Sequence, residues 1–533
     1  MSTDLQAHRF STEPTPITDW APPAQVHIPL VQHQGKPAPV IVSTGQTVEV
    51  GDPLTQSESL FEVPIHASIT GVVERISEQQ ITLRNIETTN NGDQPRSSSH
   101  NASMSEARPP DANQPDAGQS KNDFTNLAFD DWSRDQFIAQ IHSAGLVGLG
   151  GSCFPVAAKI NKLNGCRAEV LLINAAECDP LICCDEALVN QSIDDIATGI
   201  CLAQYATQAK KTIIGVEYDK REQGHSLLKC VLEHCAQQYS GNTELQIVPA
   251  RYPNGAESLL MSHCLGQSLT PVEIQDSKLV TFNIGTCYSL SQALIHKKPS
   301  THRITTVVDS NHNKVNLRLP LGTPISDLAA QYAKSSEHRI FVGGEMMGNE
   351  VSSCAVVTKA SNCIQLKHAR ALPSVRPCVR CGLCVEACPV NLLPQFLLSA
   401  SIAANSKHLQ TLNLQTCIEC ACCDRVCPSH IPLAGIFANS KKQVDKDIRS
   451  RQLADLAKSR FEKRQARLEN SKQREFRKLD KKQSTLNQDE KTGQQAKRQL
   501  VEEALQRARN KKLKNTSSPT SNTPSTASKD NRS

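Results

Sequence analysis

The chain has 533 residues, enough for several domains, with 38% hydrophobic residues and a formal net charge of +5. No run approaches the roughly 20 apolar residues that cross a bilayer. The opening MSTDLQAHRFSTEPTPITDW lacks the basic start and apolar stretch of a signal peptide, so the polypeptide is expected to be soluble or peripheral on the cytoplasmic side of a membrane.

From about Val26 to Leu83, PVIVSTGQTVEVGDPL and LFEVPIHASITGVVERI alternate β-rich runs with Gly and Pro turns, which predicts a small β-barrel or sandwich. HASITGVVERI resembles the hammerhead turn of biotinyl and lipoyl carrier domains. No lysine stands at that turn to hold a prosthetic group, so a covalent carrier role is not expected. The polar, Pro/Gly/Ser-rich stretch Glu87–Asp123 reads as a linker or surface insertion.

The central region alternates strand and helix patterns. GLVGLGGSCFP feeds a predicted helix, PVAAKINKL, so a Gly-rich loop presents backbone N–H groups at a helix start, as phosphate-binding loops do. Then EVLLINAAE, KKTIIGVEY and ELQIVPA read as strands, and ALVNQSIDDIATGICLAQYA, HSLLKCVLEHCAQQY and ESLLMSHCLG as helices. This order predicts a parallel sheet with ligand loops at the carboxyl ends of its strands. Those ends carry NAAECDP, VEYDKREQ and ARYPNGAE.

Near the C-terminus, PCVRCGLCVEACPV and TCIECACCDRVCPS each space cysteines as C-x2-C-x2-C-x3-C before a proline. Bacterial two-cluster ferredoxins hold their [4Fe-4S] clusters with this run, the fourth cysteine of each crossing to the other cluster. The ligands would be Cys378, Cys381, Cys384 and Cys427 for cluster 1, and Cys417, Cys420, Cys423 and Cys388 for cluster 2. A pair of zinc sites is the alternative, but zinc calls for two pairs rather than triplets with a trailing Cys-Pro. Cys422 falls off the ligand spacing and reads as a bystander thiol. Thirteen of the 21 cysteines lie outside the ligand set with no paired framework, which fits a reducing compartment.

The charge is uneven. Residues 441–533 hold 26 Lys/Arg against 12 Asp/Glu, while the rest carries 32 against 41. KSRFEKRQARLENSKQREFRKLDKK and RQLVEEALQRARNKKLK are rich in helix formers and poor in apolar residues. The final NTSSPTSNTPSTASKDNRS is expected to be disordered. A solvated helix and linker is one reading of this tail, and attraction to an anionic membrane surface or acidic partner the other. Nucleic-acid binding is not expected, because aromatic residues for stacking are nearly absent there.

Taken together, the N-terminal module, GLGGSCFP, NAAECDP, RYPNGAE, FNIGT, GGEMMG and RPCVRCGLC through CPSHIPL resemble the C subunits of the Rnf electron-transport complexes, the ion-translocating oxidoreductases. The central region also resembles the NADH-binding flavoprotein subunit of respiratory complex I. The resemblance covers about Val26 to Val444 apart from the Glu87–Asp123 insertion, and after FNIGT it implies a β-grasp module in THRITTVVDSNHNKVNLRLPLGTPISDL. The implied fold class is a multidomain α/β protein. Its parts are an N-terminal tail (1–25), a barrel-sandwich module (26–86), a low-complexity linker (87–123) and a Rossmann-like flavin and nicotinamide domain (124–290). A β-grasp module (291–360), a helical two-cluster ferredoxin-type domain (361–445) and a charged helical and disordered tail (446–533) follow.

The resemblance further implies FMN over Gly148, Gly150 and Gly151, with Asn174 and Glu177 near its ring or ribityl, and NAD(H) against it near Tyr252 and Glu257. No catalytic residue is singled out. Three positions depart from the family: Cys153 and Ala256 stand where glycines are usual, and Glu345 where a proline is. A Cβ at Cys153 is expected to crowd the flavin or to demand a backbone angle that non-glycine residues resist. The implied activity is electron transfer between NAD(H) and a ferredoxin-type carrier through FMN and two clusters. It would be coupled to ion translocation by other subunits of a complex on the cytoplasmic side of the inner membrane. The alternative is a non-enzymatic electron-transfer or docking subunit whose flavin site has decayed.

Overall fold

A computed structural model describes residues 15–86, 132–235, 242–333, 338–369 and 373–514. The linker 87–123 and the terminal segment 515–533 lie outside the described residues. By its contacts the chain divides into one unit through Val444 and a second from Asp445 onward.

Among the described residues the first unit contains three sheets. In the N-terminal one, strands Gln25–Pro29, Gln80–Asn85, Gly71–Ile76 and Thr47–Val48 pair antiparallel in that order. Val26 and Ile28 alternate inward with Val73, Ile81 and Leu83, and with Leu54, Ile65 and Ile69 they close a small apolar core. This is the β-rich module that the Gly and Pro punctuation predicts.

The central sheet orders Asn242–Val248, Lys211–Glu217, Val170–Ala175 and Leu279–Asn283, all parallel. Both faces are covered, which is why VLLIN runs apolar without alternation. Leu171 and Ile173 pack with Ile196, Ile200, Ala203 and Leu290 on one face. Val170 and Leu172 pack with Leu260, Met261 and Ile274 on the other. The predicted helix 187–206 is two, Cys184–Gln191 and Ile193–Thr207, broken at Ser192. Successive strands step outward from Val170–Ala175, and the fourth returns to its opposite side. Loops at the carboxyl ends of Val170–Ala175 and Leu279–Asn283 therefore diverge and leave a crevice, the usual ligand position of such sheets.

The third sheet is mixed, in the order Ile17–Asp19, Lys314–Pro320, His302–Val308, Cys363–His368, His338–Val342 and Asn349–Val351. It is crossed by helix Ile325–Tyr332, whose Ile325 and Leu328 join its core. Two segments assigned elsewhere from the sequence complete it. Ile17–Asp19, read as tail, pairs parallel with Lys314–Pro320, and Cys363–His368, read with the cluster domain, pairs with His302–Val308 and His338–Val342.

In the cluster region the two cysteine runs fold alike. Short helices Leu383–Glu386 and Cys422–Arg425 carry the third cysteine of each triplet, Cys384 and Cys423, and helices Pro394–Ile402 and Leu433–Lys514 follow the Cys-Pro turns. The second helix continues through the charged sequence, where side chains are almost uniformly exposed. Among the described residues no helix is long and apolar enough to cross a membrane. Cys201, in helix Ile193–Thr207, is disulfide-bonded.

Candidate functional site: a glycine cradle and two cysteine-lined hollows

The loop 145–155 lies across the crevice and is held from behind by side chains of three modules. Leu149 N donates to Thr286 Oγ1 at 3.0 Å, and the buried Arg303 donates to Leu149 O at 2.9 Å. Lys359, also buried, donates to Gly145 O at 2.7 Å. From the N-terminal module, Gln34 donates through its backbone to Cys153 O and through its side chain to Ser152 O.

The front of the loop is bare. A Cβ at Gly151, whose φ is +107°, would meet nothing within 4 Å, and one at Gly150 would lie 3.4 Å from Asn283. Exposed glycine backbone at a strand switch point is a cradle that suits a phosphate-bearing flavin, and side chains there would fill it. Cys153 adopts φ +48°, so its position does demand the left-handed backbone expected of a glycine. Its thiol does not crowd the cradle: it is buried against Val63 and Val147.

Asn174, at the end of its strand, is occupied by the protein. Its amide donates to Gly255 O at 2.8 Å and its oxygen accepts from Ala176 N. Glu177 caps the helix Cys184–Gln191, accepting from the backbone N–H groups of Asp185 and Glu186, and it pairs with buried Lys220 at 3.5 Å. Asp179 accepts from Glu345 N and Met346 N, which fixes GGEMMG against NAAECDP. Glu257 pairs with Lys159 at 2.9 Å. Burial works to raise its carboxyl, but the Lys159 charge and hydrogen bond outweigh that and hold it below the usual range.

Sequence reasoning missed three residues here: Arg303, Asn283 and Asp185. Asn283 caps Gly285 N and its amide donates to Asp185. The Asp185 carboxyl is pushed up to about 6 by burial and by the neighbouring Glu177 charge. It lines a hollow of about 350 Å³ with Ala175, Glu186, Val216, Lys220 and Ile284. A carboxyl raised towards neutrality in a cleft is a mark of functional sites. The only sequence signal was an acid in the first helical turn after NAAECDP.

The eight predicted cluster cysteines line two hollows, four to each. Cys378, Cys381, Cys384 and Cys427 surround one of about 390 Å³. Cys388, Cys417, Cys420 and Cys423 surround another of about 340 Å³. The backbone repeats between them. Arg380 and Glu419, Gly382 and Ala421, and Asn391 and His430 occupy equivalent places in the two runs, all with positive φ. Single left-handed residues turn successive N–H groups to one side, and such concavities receive anionic groups, iron–sulfur clusters among them. Glu419 N and Leu392 N point at Cys417 Sγ and Cys388 Sγ at 3.4 and 3.3 Å. The thiol-only donor set and this geometry fit [4Fe-4S] clusters.

The two hollows differ in surroundings. Cys378 and Cys381 are exposed, whereas Cys420 is buried and none of the second set is fully exposed. Tyr252, from ARYPNGAE, is buried against Cys420, Cys422 and Cys178, and its hydroxyl donates to Cys420 O at 2.8 Å. Tyr252 therefore ties the ARYPNGAE loop to the second hollow. Cys422 lies outside the lining of either hollow.

Known families match in the same order along the chain. Residues 3–89 match the RnfC barrel sandwich hybrid domain, 141–292 the Nuo51 FMN-binding domain and 377–431 the 4Fe-4S dicluster domain. The chain is 32% identical over 461 residues to the C subunit of the ion-translocating oxidoreductase complex of Haemophilus influenzae, covering 84% of this chain and 65% of that one. It is 31% identical over 475 residues to the protein of the same name from Vibrio cholerae, covering 86% and 57%. The chain thus spans less than two thirds of the length of these relatives. A solved NAD+-reducing [NiFe]-hydrogenase chain is similar at TM-score 0.43 and 16% identity, over 58% of this chain and 61% of that one.

Proposed function

We propose that this chain, a homologue of the C subunits of ion-translocating oxidoreductase complexes, is the peripheral, NAD(H)-reactive electron relay of such a complex. Gly148, Gly150 and Gly151 would hold the flavin, and Cys378/Cys381/Cys384/Cys427 and Cys417/Cys420/Cys423/Cys388 the two clusters. Bound FMN supplies the conversion between two-electron hydride chemistry and the one-electron steps that a cluster accepts. The six-stranded mixed sheet would be the β-grasp module, and its Arg303 holds the glycine loop in place.

The observation that carries this reading is the Tyr252–Cys420 contact. It brings the ARYPNGAE loop against the hollow where Cys388, Cys417, Cys420 and Cys423 would hold cluster 2, while Cys378 and Cys381, which would hold cluster 1, are exposed towards a partner; the clusters would supply one-electron transfer between the two sides. Tyr252 then orders the cluster 2 loop, and Glu257 with Lys159 frames the nucleotide side. NAD(H), a ferredoxin-type carrier and the membrane subunits of the complex would be the partners, at the cytoplasmic face of the inner membrane.

The open glycine cradle and the match to an FMN-binding family support this reading over a docking subunit with a decayed flavin site. Flavin and iron analysis of the anaerobically purified chain tests it, together with NADH oxidation by ferricyanide. One flavin and eight irons per chain with NADH-dependent reduction is the expected result. Eight irons without flavin, and no NADH oxidation after FMN is added, would leave only the docking role.

A further inference from the structure

Away from the relay, helix Arg221–Cys235 and the start of helix Ile193–Thr207 bring three metal-ligating side chains together. Cys230 and His234 stand one helical turn apart and so share a face. Asp194, in the first turn of the neighbouring helix, completes the group. One ligand atom from each lies within 4.8 Å of the others.

The imidazole is already oriented. His234 Nδ1 lies 2.8 Å from Cys230 O, and a carbonyl can only accept, so Nδ1 carries the proton and Nε2 the lone pair. That nitrogen faces Asp194 Oδ1 at 3.8 Å, and Cys230 Sγ lies 3.3 Å from the same oxygen. An Nδ1–H to carbonyl bond is the usual outer support of a metal-bound histidine. Around a tetrahedral zinc, with bonds of about 2.3 Å to sulfur and about 2.0 Å to nitrogen and oxygen, ligand atoms stand roughly 3.3–3.6 Å apart. Sγ to Oδ1 at 3.3 Å and Nε2 to Oδ1 at 3.8 Å are close to these, while the thiol lies 3.5 Å from Nδ1 and reaches Nε2 by rotation of the two side chains on binding.

We infer that Asp194, Cys230 and His234 form a binding site for a zinc-class divalent cation that clamps the two helices. The thiol, imidazole and single carboxylate select a borderline-soft metal over magnesium or calcium. Cys230 is buried, His234 half-buried and the Asp194 carboxylate largely exposed, so the ion can enter from solvent. A fourth position stays open to water. Binding displaces the Cys230 thiol proton, which leaves to solvent.

The test uses the full chain, purified anaerobically with its clusters. Zinc is added, excess is removed with a weak chelator, and zinc and iron per chain are measured for wild type, Cys230→Ser, His234→Ala and Asp194→Asn. Wild type is expected to keep one zinc more than each variant, with apparent affinity at least tenfold higher and iron content unchanged. Asp194→Asn, at an exposed position, keeps the comparison readable should a core variant misfold. X-ray absorption at the zinc edge should then show one sulfur with nitrogen and oxygen. Equal zinc in wild type and variants, or a shell of several sulfurs, would place the ion at other thiols and overturn the inference.

Discussion

Exchanging the residues at one repeated backbone position of the two cysteine runs should change cluster retention in opposite directions. Gly382 has φ +85° and Ala421 φ +56°, each at the start of a short helix. A Cβ at Gly382 would meet nothing within 4 Å, so Gly382→Ala carries a dihedral cost of about 1–2 kcal/mol, offset by about 0.5–1 kcal/mol of unfolded-state entropy that glycine no longer adds, for a net loss of about 0.5–1 kcal/mol. Ala421→Gly removes that cost at Ala421 but adds the unfolded-state entropy of glycine, about 0.5–1 kcal/mol, for a net gain of about 0.5–1 kcal/mol. If clusters are lost through opening of these loops, 1 kcal/mol is about a fivefold change in rate. The assay is the first-order bleaching of the visible cluster absorbance in anaerobic holoprotein challenged with a chelator. Gly382→Ala should speed it, and Ala421→Gly should slow it, each by roughly two- to fivefold. Changes of the same sign in both variants, or less than a twofold effect of Gly382→Ala, would refute the backbone account.

Three further outcomes follow from the same geometry. Cys388→Ser should remove the paramagnetic resonance and iron of cluster 2 and spare cluster 1; loss of the cluster 1 signal instead would contradict the crossed arrangement. Burial lowers the Lys359 ammonium to about 8 from 10.5. The cost of burying its charge is therefore full below pH 8 and is relieved as pH rises towards 10.5, a gain of about 3 kcal/mol. Lys359→Met should flatten that rise in denaturant melts, at the expense of about 1–3 kcal/mol for Gly145 O left without its donor, and an unchanged pH slope would count against it. Cys153→Gly relieves a left-handed residue by about 1–2 kcal/mol but loses the buried thiol and adds glycine entropy, so stability should move by under about 1 kcal/mol. Flavin content should stay within twofold, because the side chain faces Val63 and Val147; a large rise would mean that it does crowd the cradle.

What the sequence disclosed was whatever is local. Cysteine spacing marked two ligand sets because a cluster needs short loops, and the apolar run of VLLIN marked a strand buried on both sides. The demand for a left-handed angle at Cys153 was legible from a glycine missing in one short motif. Contacts between distant segments were not legible. Nothing in HRITTV signals that Arg303 reaches Leu149, nor in TKAS that Lys359 reaches Gly145. A lysine or arginine in a β-rich run ordinarily faces solvent, and these are buried because a loop carbonyl awaits each. Tyr252 illustrates the same limit. Its motif placed it beside a nucleotide, and only the fold shows its hydroxyl turned to Cys420 O.

The N-terminal module is where likeness of motif and physical role separate. Its HASITG turn resembles a carrier turn in sequence but lacks the lysine, and the structure gives the turn different work. A Cβ on Gly71 would come within 2.3 Å of Arg84 O, so the strands close tightly there. Ser68 in the same turn donates to Leu321 O of the mixed sheet. Gln32 accepts from Lys359 N, and Gln34 holds Ser152 and Cys153. A swinging carrier needs an exposed, mobile turn, whereas these bonds fix the module against two others and against the glycine loop. Sites held to within a fraction of an ångström depend on such outer support. The module thus acts on the cradle as a brace, and the positions that matter in it are Gln32, Gln34 and Ser68 rather than any residue at the turn that could carry a prosthetic group.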